Sequence, residues 1–413
     1  MKYIYKLISI FLISILVSTV AIATIGTTKQ EVNQGTILID NNAKPVVPTL
    51  GIDYTCIDTT ISTNVIPPND IPIPVKDNIL SDKTQNNQTN SQIKVNSGYT
   101  SAEITAIRDN VSIERSSTPK LCSNGKVPKN IVNKKSATVN IIKGNPLNAE
   151  LKGKPISKET ILNISRSNKQ PSITQSSYTY GAWYDWVNSY PSTVIVPNTG
   201  VYAIMTQHNP NIDSTYGIHS LGEIGTMGWD GDYVETGWIK NKGDVTRLFT
   251  FWWKDNNPKC YNSGCAGWVQ YSGSYYPGMP ISVDNIGTSY MIEYWSGNWW
   301  VWYKNQWIGY YPGTIWGSST DFTYAVIPWY YGEVANSASR TTTDMGNGLF
   351  ASNPNSAKLL SQEFMISGTW FYNAGFVAPS SPSLYSGAQP STCWWIFCTP
   401  RLYDMRYGGP GTG

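Results

Sequence analysis

Histidine is nearly missing from this 413-residue chain, which has only His208 and His219. A Ser-His-Asp or Cys-His arrangement would have to use one of them, and no G-x-S-x-G segment accompanies either. Taken singly, each reads as a plain surface or strand histidine. With no H-E-x-x-H and no C-x-x-C, a transition-metal centre has no support, and neither metal nor cofactor is expected. Aromatics are scarce in one half alone: residues 1–177 hold five of the 53 and no Trp, and the other 48 follow. Charge divides at the same place. The first half carries 20 Lys and Arg against 12 acids, a net of +8, and the second 10 against 15, a net of −5. Opposite fields favour docking of the halves at modest ionic strength; a solvated basic segment without a fixed partner is the alternative.

Apolar runs of bilayer length are also lacking. Met1-Lys2 and Lys6, the apolar run 7–20 and Ala21-Ile22-Ala23 read as a signal peptide over 1–23, so a secreted protein is expected; an uncleaved N-terminal anchor is the membrane alternative. Six cysteines in an exported chain point to disulfides. Cys56 with Cys122, Cys260 with Cys265, and Cys393 with Cys398 pair within the halves. These are three bridges of one among fifteen connectivities.

From 24 to 169 the chain is rich in Asn, Ser, Thr, Ile and Lys, with clusters such as Pro67-Pro68. Such a stretch builds no large core. Residues 81–96 read as a disordered connector, 102–108 as a short helix, and 165–177 as an exposed linker open to proteolysis. From 170 to 413 short runs rich in Trp, Tyr, Val, Ile and Thr alternate with Gly, Pro, Asn and Ser. Runs at 193–196, 201–206, 220–227, 233–239, 247–253, 267–271, 290–295, 298–303, 306–310, 324–329 and 331–336 predict an all-β sandwich or barrel behind a mostly irregular N-terminal region. In 298–303 both faces are aromatic, so that strand is packed on both sides or floors a groove.

Carboxylate chemistry remains. Glu235, in Tyr233-Val-Glu-Thr-Gly-Trp238, and Glu333, in Tyr330-Tyr-Gly-Glu-Val-Ala-Asn336, sit inside aromatic strands, on the faces of Tyr233 and Tyr331. At about 4 Å and an effective dielectric near 20 the two charges would repel by roughly 4 kcal/mol, enough to share one proton between them. One carboxylate could then activate water while the other acid protonates a scissile amide. The alternative is a pair of exposed or Arg-paired structural glutamates. Gln270, Arg247 and Asn336 lie on other strands and are candidates to orient water or hold an oxyanion; a surface Gln270 and an ion-paired Arg247 are the alternatives.

The segments Glu235-Thr-Gly-Trp238, Thr246-Arg-Leu-Phe-Thr-Phe-Trp252, Cys260-Tyr-Asn-Ser-Gly-Cys-Ala-Gly-Trp-Val-Gln270, Gly297-Asn-Trp-Trp300, Ile308-Gly-Tyr-Tyr-Pro312, Tyr331-Gly-Glu-Val-Ala-Asn336, Thr343-Asp-Met-Gly-Asn-Gly348 and Tyr407-Gly-Gly-Pro-Gly411 resemble, in order, those of the neprosin catalytic domain. Upstream, Asp53-Tyr-Thr-Cys-Ile-Asp58 and Cys122-Ser-Asn-Gly-Lys-Val-Pro128 are similar to the cysteine segments of the neprosin activation peptide. The resemblance implies two packed antiparallel sheets and a glutamate dyad at Glu235 and Glu333. It also implies acid-activated loss of an inhibitory pro-region, and cleavage next to proline in unstructured peptides. It supports the bridge between Cys260 and Cys265. Glu223 stands where the plant members of the family usually show glutamine, which implies a third acid near the dyad, and Leu402-Tyr-Asp404 replaces a Cys-Tyr-Asp. No nucleic-acid partner is expected. A secreted carbohydrate-binding sandwich, or a two-carboxylate glycosidase, is the competing reading.

Overall fold

The computed structural model describes residues 54–58, 65–68, 117–122, 126–130, 177–179, 182–191 and most of 196–412. The chain divides into two compact units, and every described residue lies in the second, Ile52–Gly413. The expected signal peptide, the connector at 81–96, the helix at 102–108, the linker up to residue 176, residues 193–195 of one expected strand and Cys265 lie outside the described residues.

In chain order the strands are β1 (Tyr54–Asp58), β2 (Lys126–Asn130), β3 (Ser177–Thr179), β4 (Ala182–Pro191), β5 (Gly200–Gln207), β6 (Gly217–Met227), β7 (Tyr233–Asn241), β8 (Thr246–Lys254), β9 (Asn257–Tyr261), β10 (Val269–Gln270) and β11 (Asp284–Trp295). They continue with β12 (Asn298–Tyr303), β13 (Gln306–Pro312), β14 (Ile327–Asn336), β15 (Ala357–Ile366), β16 (Thr369–Tyr372), β17 (Gly375–Pro379), β18 (Ser386–Ala388), β19 (Ser391–Trp394), β20 (Phe397–Pro400) and β21 (Met405–Gly408). A nine-stranded sheet runs β10-β13-β12-β11-β5-β15-β21-β18 with β16 beside β15, and an eight-stranded sheet runs β17-β4-β14-β6-β7-β8-β9 with β3 beside β4. All pairings within them are antiparallel. The fold is the all-β sandwich expected.

Tight hairpins come from residues able to take positive φ. Ser296 and Gly297 (φ 48° and 81°) turn β11 into β12, and Ser367 and Gly368 (φ 49° and 75°) turn β15 into β16. Both central residues in the left-handed region give the turn whose twist matches paired strands.

Alternation along the strands makes three apolar layers. The inner layer joins Val234, Trp238, Leu248, Trp252, Tyr330 and Val334 of one sheet to Val201, Met205, Tyr290, Trp299, Val301 and Tyr303 of the other. The outer face of the eight-stranded sheet carries Trp186, Leu221, Tyr233, Ile239, Phe251, Trp253, Trp329 and Tyr331. That of the nine-stranded sheet carries Tyr202, Met291, Trp300, Trp302, Trp307 and Tyr310. The strand read as aromatic on both sides is thus packed on both sides, one ring set in each layer.

Cys56 and Cys122, 66 positions apart in sequence, form a disulfide beside the β1–β2 ladder. Cys260 is disulfide-bonded. The β19–β20 register sets Cys393 opposite Cys398.

Candidate active site

Three adjacent central strands, β14, β6 and β7, position the acids. Cross-strand pairing sets Trp329 beside Gly225 and Gly225 beside Glu235; Tyr331 beside Glu223 and Glu223 beside Gly237; Glu333 beside Leu221 and Leu221 beside Ile239. Directly opposed residues share a face, as do residues two apart on one strand. Glu223, Glu235 and Glu333 therefore lie on one face, the outer face of the eight-stranded sheet, and all three are buried. They form a diagonal with Glu223 in the middle. The direct contact between Glu235 and Glu333 assumed from the sequence is replaced by this arrangement, because β6 separates their strands and sets their backbones roughly 10 Å apart across the sheet and about 13 Å apart along it, the length from Leu221 to Gly225.

Glycine opens room between the acids. A Cβ at Gly225 would stand 2.1 Å from Trp329 Nε1, and one at Gly237 would stand 2.9 Å from the Cβ of Glu223. Bare backbone at these two points lets the indole of Trp329 lie over Gly225, next to the acid-bearing rows. That indole N–H is buried and has no acceptor among the described residues.

Each terminal glutamate has a defined donor. Glu333 Oε1 lies 3.0 Å from Nε2 of His219, while its Oε2 is buried with no partner among the described residues. Trp253 Nε1 donates to Glu235 Oε2 at 3.2 Å. Glu223 is held well above the usual carboxylate range, chiefly by burial, then by the charges of Glu235 and Glu333. A buried carboxyl between two others keeps its proton because a third charge there would be neither hydrated nor compensated.

His219 is the residue that the sequence reading missed. Taken for a plain surface or strand histidine, it is fully buried against Glu333. It sits on β6 two residues from Leu221, the partner of Glu333, so strand parity could have placed it once that register was known.

Of the other expected residues, Tyr233 and Tyr331 share the glutamate face. Gln270 lies in the nine-stranded sheet, where its amide donates to the Ser272 and Tyr275 carbonyls and accepts from Trp268. Trp238 points into the inner layer and donates to the Thr206 carbonyl. Arg247 pairs with Asp244 at 2.8 Å and donates to the Gly278 carbonyl. Asn336, past a register shift at the end of β14, accepts from Thr343 Oγ1. Among the described residues no three His, Cys, Asp or Glu side chains are placed to hold a metal ion.

Comparison with known structures finds loose likenesses. The first is a Scytalido-glutamic peptidase bound to a peptide-based transition-state analogue (6% identity, TM-score 0.27, covering 55% of this chain and 97% of that one). A lichenase derived from a mouse hindgut metagenome (8%, TM-score 0.21, 39% and 82%) and a β-porphyranase from Bacteroides plebeius (9%, TM-score 0.19, 41% and 73%) follow. At these scores none carries an argument about the chemistry. The family comparison is of another kind: residues 218–410, which include His219 and all three glutamates, match the Neprosin family model. Over these residues the chain carries a domain of the neprosin family.

Proposed function

We propose that the protein is a secreted glutamic endopeptidase that cleaves unstructured peptides next to proline and is activated by acid from a proform. The observation that carries this reading is the diagonal of buried glutamates, Glu235, Glu223 and Glu333, on one sheet face, with a donor fixed on each end.

The residues divide the work as follows. Glu333, oriented by His219 through one oxygen, uses the other to take a proton from water as the water oxygen attacks the scissile carbonyl carbon. The tetrahedral oxyanion is met by a buried donor, for which Trp329 Nε1 over Gly225 is our candidate. Glu235, as the carboxylic acid, protonates the amide nitrogen as the C–N bond breaks. Carboxyl and amine products leave, and proton exchange with solvent restores Glu333 as the base and Glu235 as the acid. Glu223 remains protonated throughout and donates a hydrogen bond between the two, the part an amide would play at that position.

The N-terminal half is proposed as the enzyme's own inhibitor. A basic half facing an acidic one supports docking at neutral pH that weakens as carboxylates are protonated. Purified full-length protein and its Glu235→Gln variant, brought to about pH 4 and followed by mass spectrometry with an unfolded proline-containing substrate, test the whole reading. Loss of the N-terminal half with substrate cleavage in the parent alone supports it. An intact, inactive parent that binds or cuts polysaccharide instead would sink it.

A further inference from the structure

Far from the glutamates, the outer face of the nine-stranded sheet is a floor of indole and phenol rings. Trp300 lies with ring centroids 4.6 Å from Tyr310, 5.4 Å from Tyr271 and 6.1 Å from Trp307, and Trp302 lies 5.4 Å from Trp307. Only one side of these rings is needed by the sheet, and yet Trp300, Trp302 and Trp307 are buried.

Part of the cover is a segment of the chain itself. Trp307 Nε1 donates to the carbonyl of Pro68 at 3.0 Å, and Val65 packs against the same ring cluster. The segment Val65-Ile66-Pro67-Pro68 forms neither helix nor strand. Two prolines fix φ near −65° and push the residues before them to extended backbone. Val65 packs against the rings and Pro68 is buried with its carbonyl on Trp307, while Ile66, between them, is 66% exposed and Pro67 is half-buried. A strand would put Ile66 and Pro68 on the same side; a left-handed polyproline helix, with three residues per turn, puts Val65 and Pro68 there.

Aromatic rings beside a proline and an indole N–H that donates to its carbonyl are the parts of polyproline recognition. Proline suits them because it lacks an N–H and offers its carbonyl without a competing ladder. A second donor is at hand, since the indole N–H of Trp300 is buried with no acceptor among the described residues.

We propose that this face is a second peptide-binding site, specific for an extended segment containing a Pro-Pro pair, and that Val65–Pro68 fills it in cis. Its existence is independent of the peptidase reading; only its later use, holding a proline-rich stretch of substrate once the N-terminal half is gone, rests on that reading. The cis copy presents itself at an effective concentration on the order of millimolar, so a free peptide competes poorly until the copy is loosened.

The test uses the full chain carrying Glu235→Gln, so that no peptide is consumed, and an acetylated, amidated peptide copying residues 64–69. Calorimetric titration should show little binding to this parent and clear binding after Pro67→Gly with Pro68→Gly. Adding Trp307→Phe should then weaken it about tenfold, the effect of one lost hydrogen bond, and a peptide with Ala for both prolines should not bind. A folded Gly-Gly variant that takes up no peptide at millimolar concentration, or equal affinity with Phe at 307, overturns the proposal. Should the Gly-Gly variant unfold, Trp307→Phe alone decides: hydrogen exchange at the Val65 and Ile66 amides rises about tenfold if the indole holds the segment, and unchanged exchange overturns it.

Discussion

The two outer faces of the sandwich are built from the same stock of rings and have opposite chemistry. On the eight-stranded sheet, Gly225 and Gly237 interrupt the paving and acids stand in the gaps. On the nine-stranded sheet, Trp300 and Trp302 follow one another on alternate positions of β12, with Trp307 and Tyr310 of β13 beside them. Aromatic content alone therefore tells nothing about which face does chemistry. What separates them is where a residue without a side chain stands next to a residue with a charge.

The sharpest way to break this contrast is to neutralise the acids. Glu333→Gln or Glu235→Gln should lower peptide hydrolysis about 10²- to 10⁴-fold with the fold intact by circular dichroism. Glu293→Gln, at a buried acid paired across the strands with Trp300 on the other outer face, should leave the rate unchanged. Equal losses from both would show that the measured effect is structural.

The next effect concerns the seam between the faces. Burial pushes the His208 imidazole down to about 4, aided by Lys358 and opposed by Asp284; Thr206 Oγ1 contacts the ring at 2.8 Å and Trp238 stands edge-on to it. The unfolded chain, with an ordinary pKa near 6.5, binds the proton first. Stability from this group is complete above pH 6.5 and is lost as pH falls to 4, a difference of about 3 kcal/mol. Denaturant titrations of His208→Gln should show a flatter loss over that interval. A parent and variant with parallel curves would remove His208 from the acid response.

A smaller effect should follow from filling the gap itself. Gly225→Ala places a methyl against the Trp329 indole, which should cost about 1–3 kcal/mol as overpacking and lower kcat more than it raises KM. An unchanged kcat would argue against Trp329 as the oxyanion donor.

Last is Glu223→Gln, where only a direction follows. A carboxyl whose folded pKa is raised contributes its stability below the unfolded value and loses it as pH rises through the folded one. The amide should match the parent near pH 4 and exceed it at pH 8 in thermal melts, and hydrolysis should extend to higher pH. Identical melts at pH 8 would show that Glu223 does not hold its proton as argued.

Much of the second half was legible because alternation is a local signal. Strands from Val201 to Tyr310 follow the apolar pattern, and the runs at 324–329 and 331–336 prove to be one strand, β14, which β4 joins only from Tyr330 onward, so Pro328 interrupts no ladder there. Strands β4 and β15 escaped notice because they bury polar side chains, Asp185, Asn188 and Ser189 in one and Gln362 and Glu363 in the other. Glu235 and Glu333 stood out as acids in apolar strands. Their relation to Glu223 and His219 did not, since it depends on which strands are neighbours, and that is decided by long-range pairing. Gln270 was misplaced for the same reason: its two-residue strand reveals no sheet by itself.

The Cys56–Cys122 link changes what a broken chain means. The segment that reaches Trp307 and the one that reaches Gly273 through Leu121 belong to a single covalent ring. A nick anywhere between the two cysteines leaves one molecule of unaltered mass apart from a water, and two fragments separate only after reduction. Release of the N-terminal portion as a unit requires a scission on the far side of Cys122, so comparing reduced with unreduced samples distinguishes a harmless nick from a completed one.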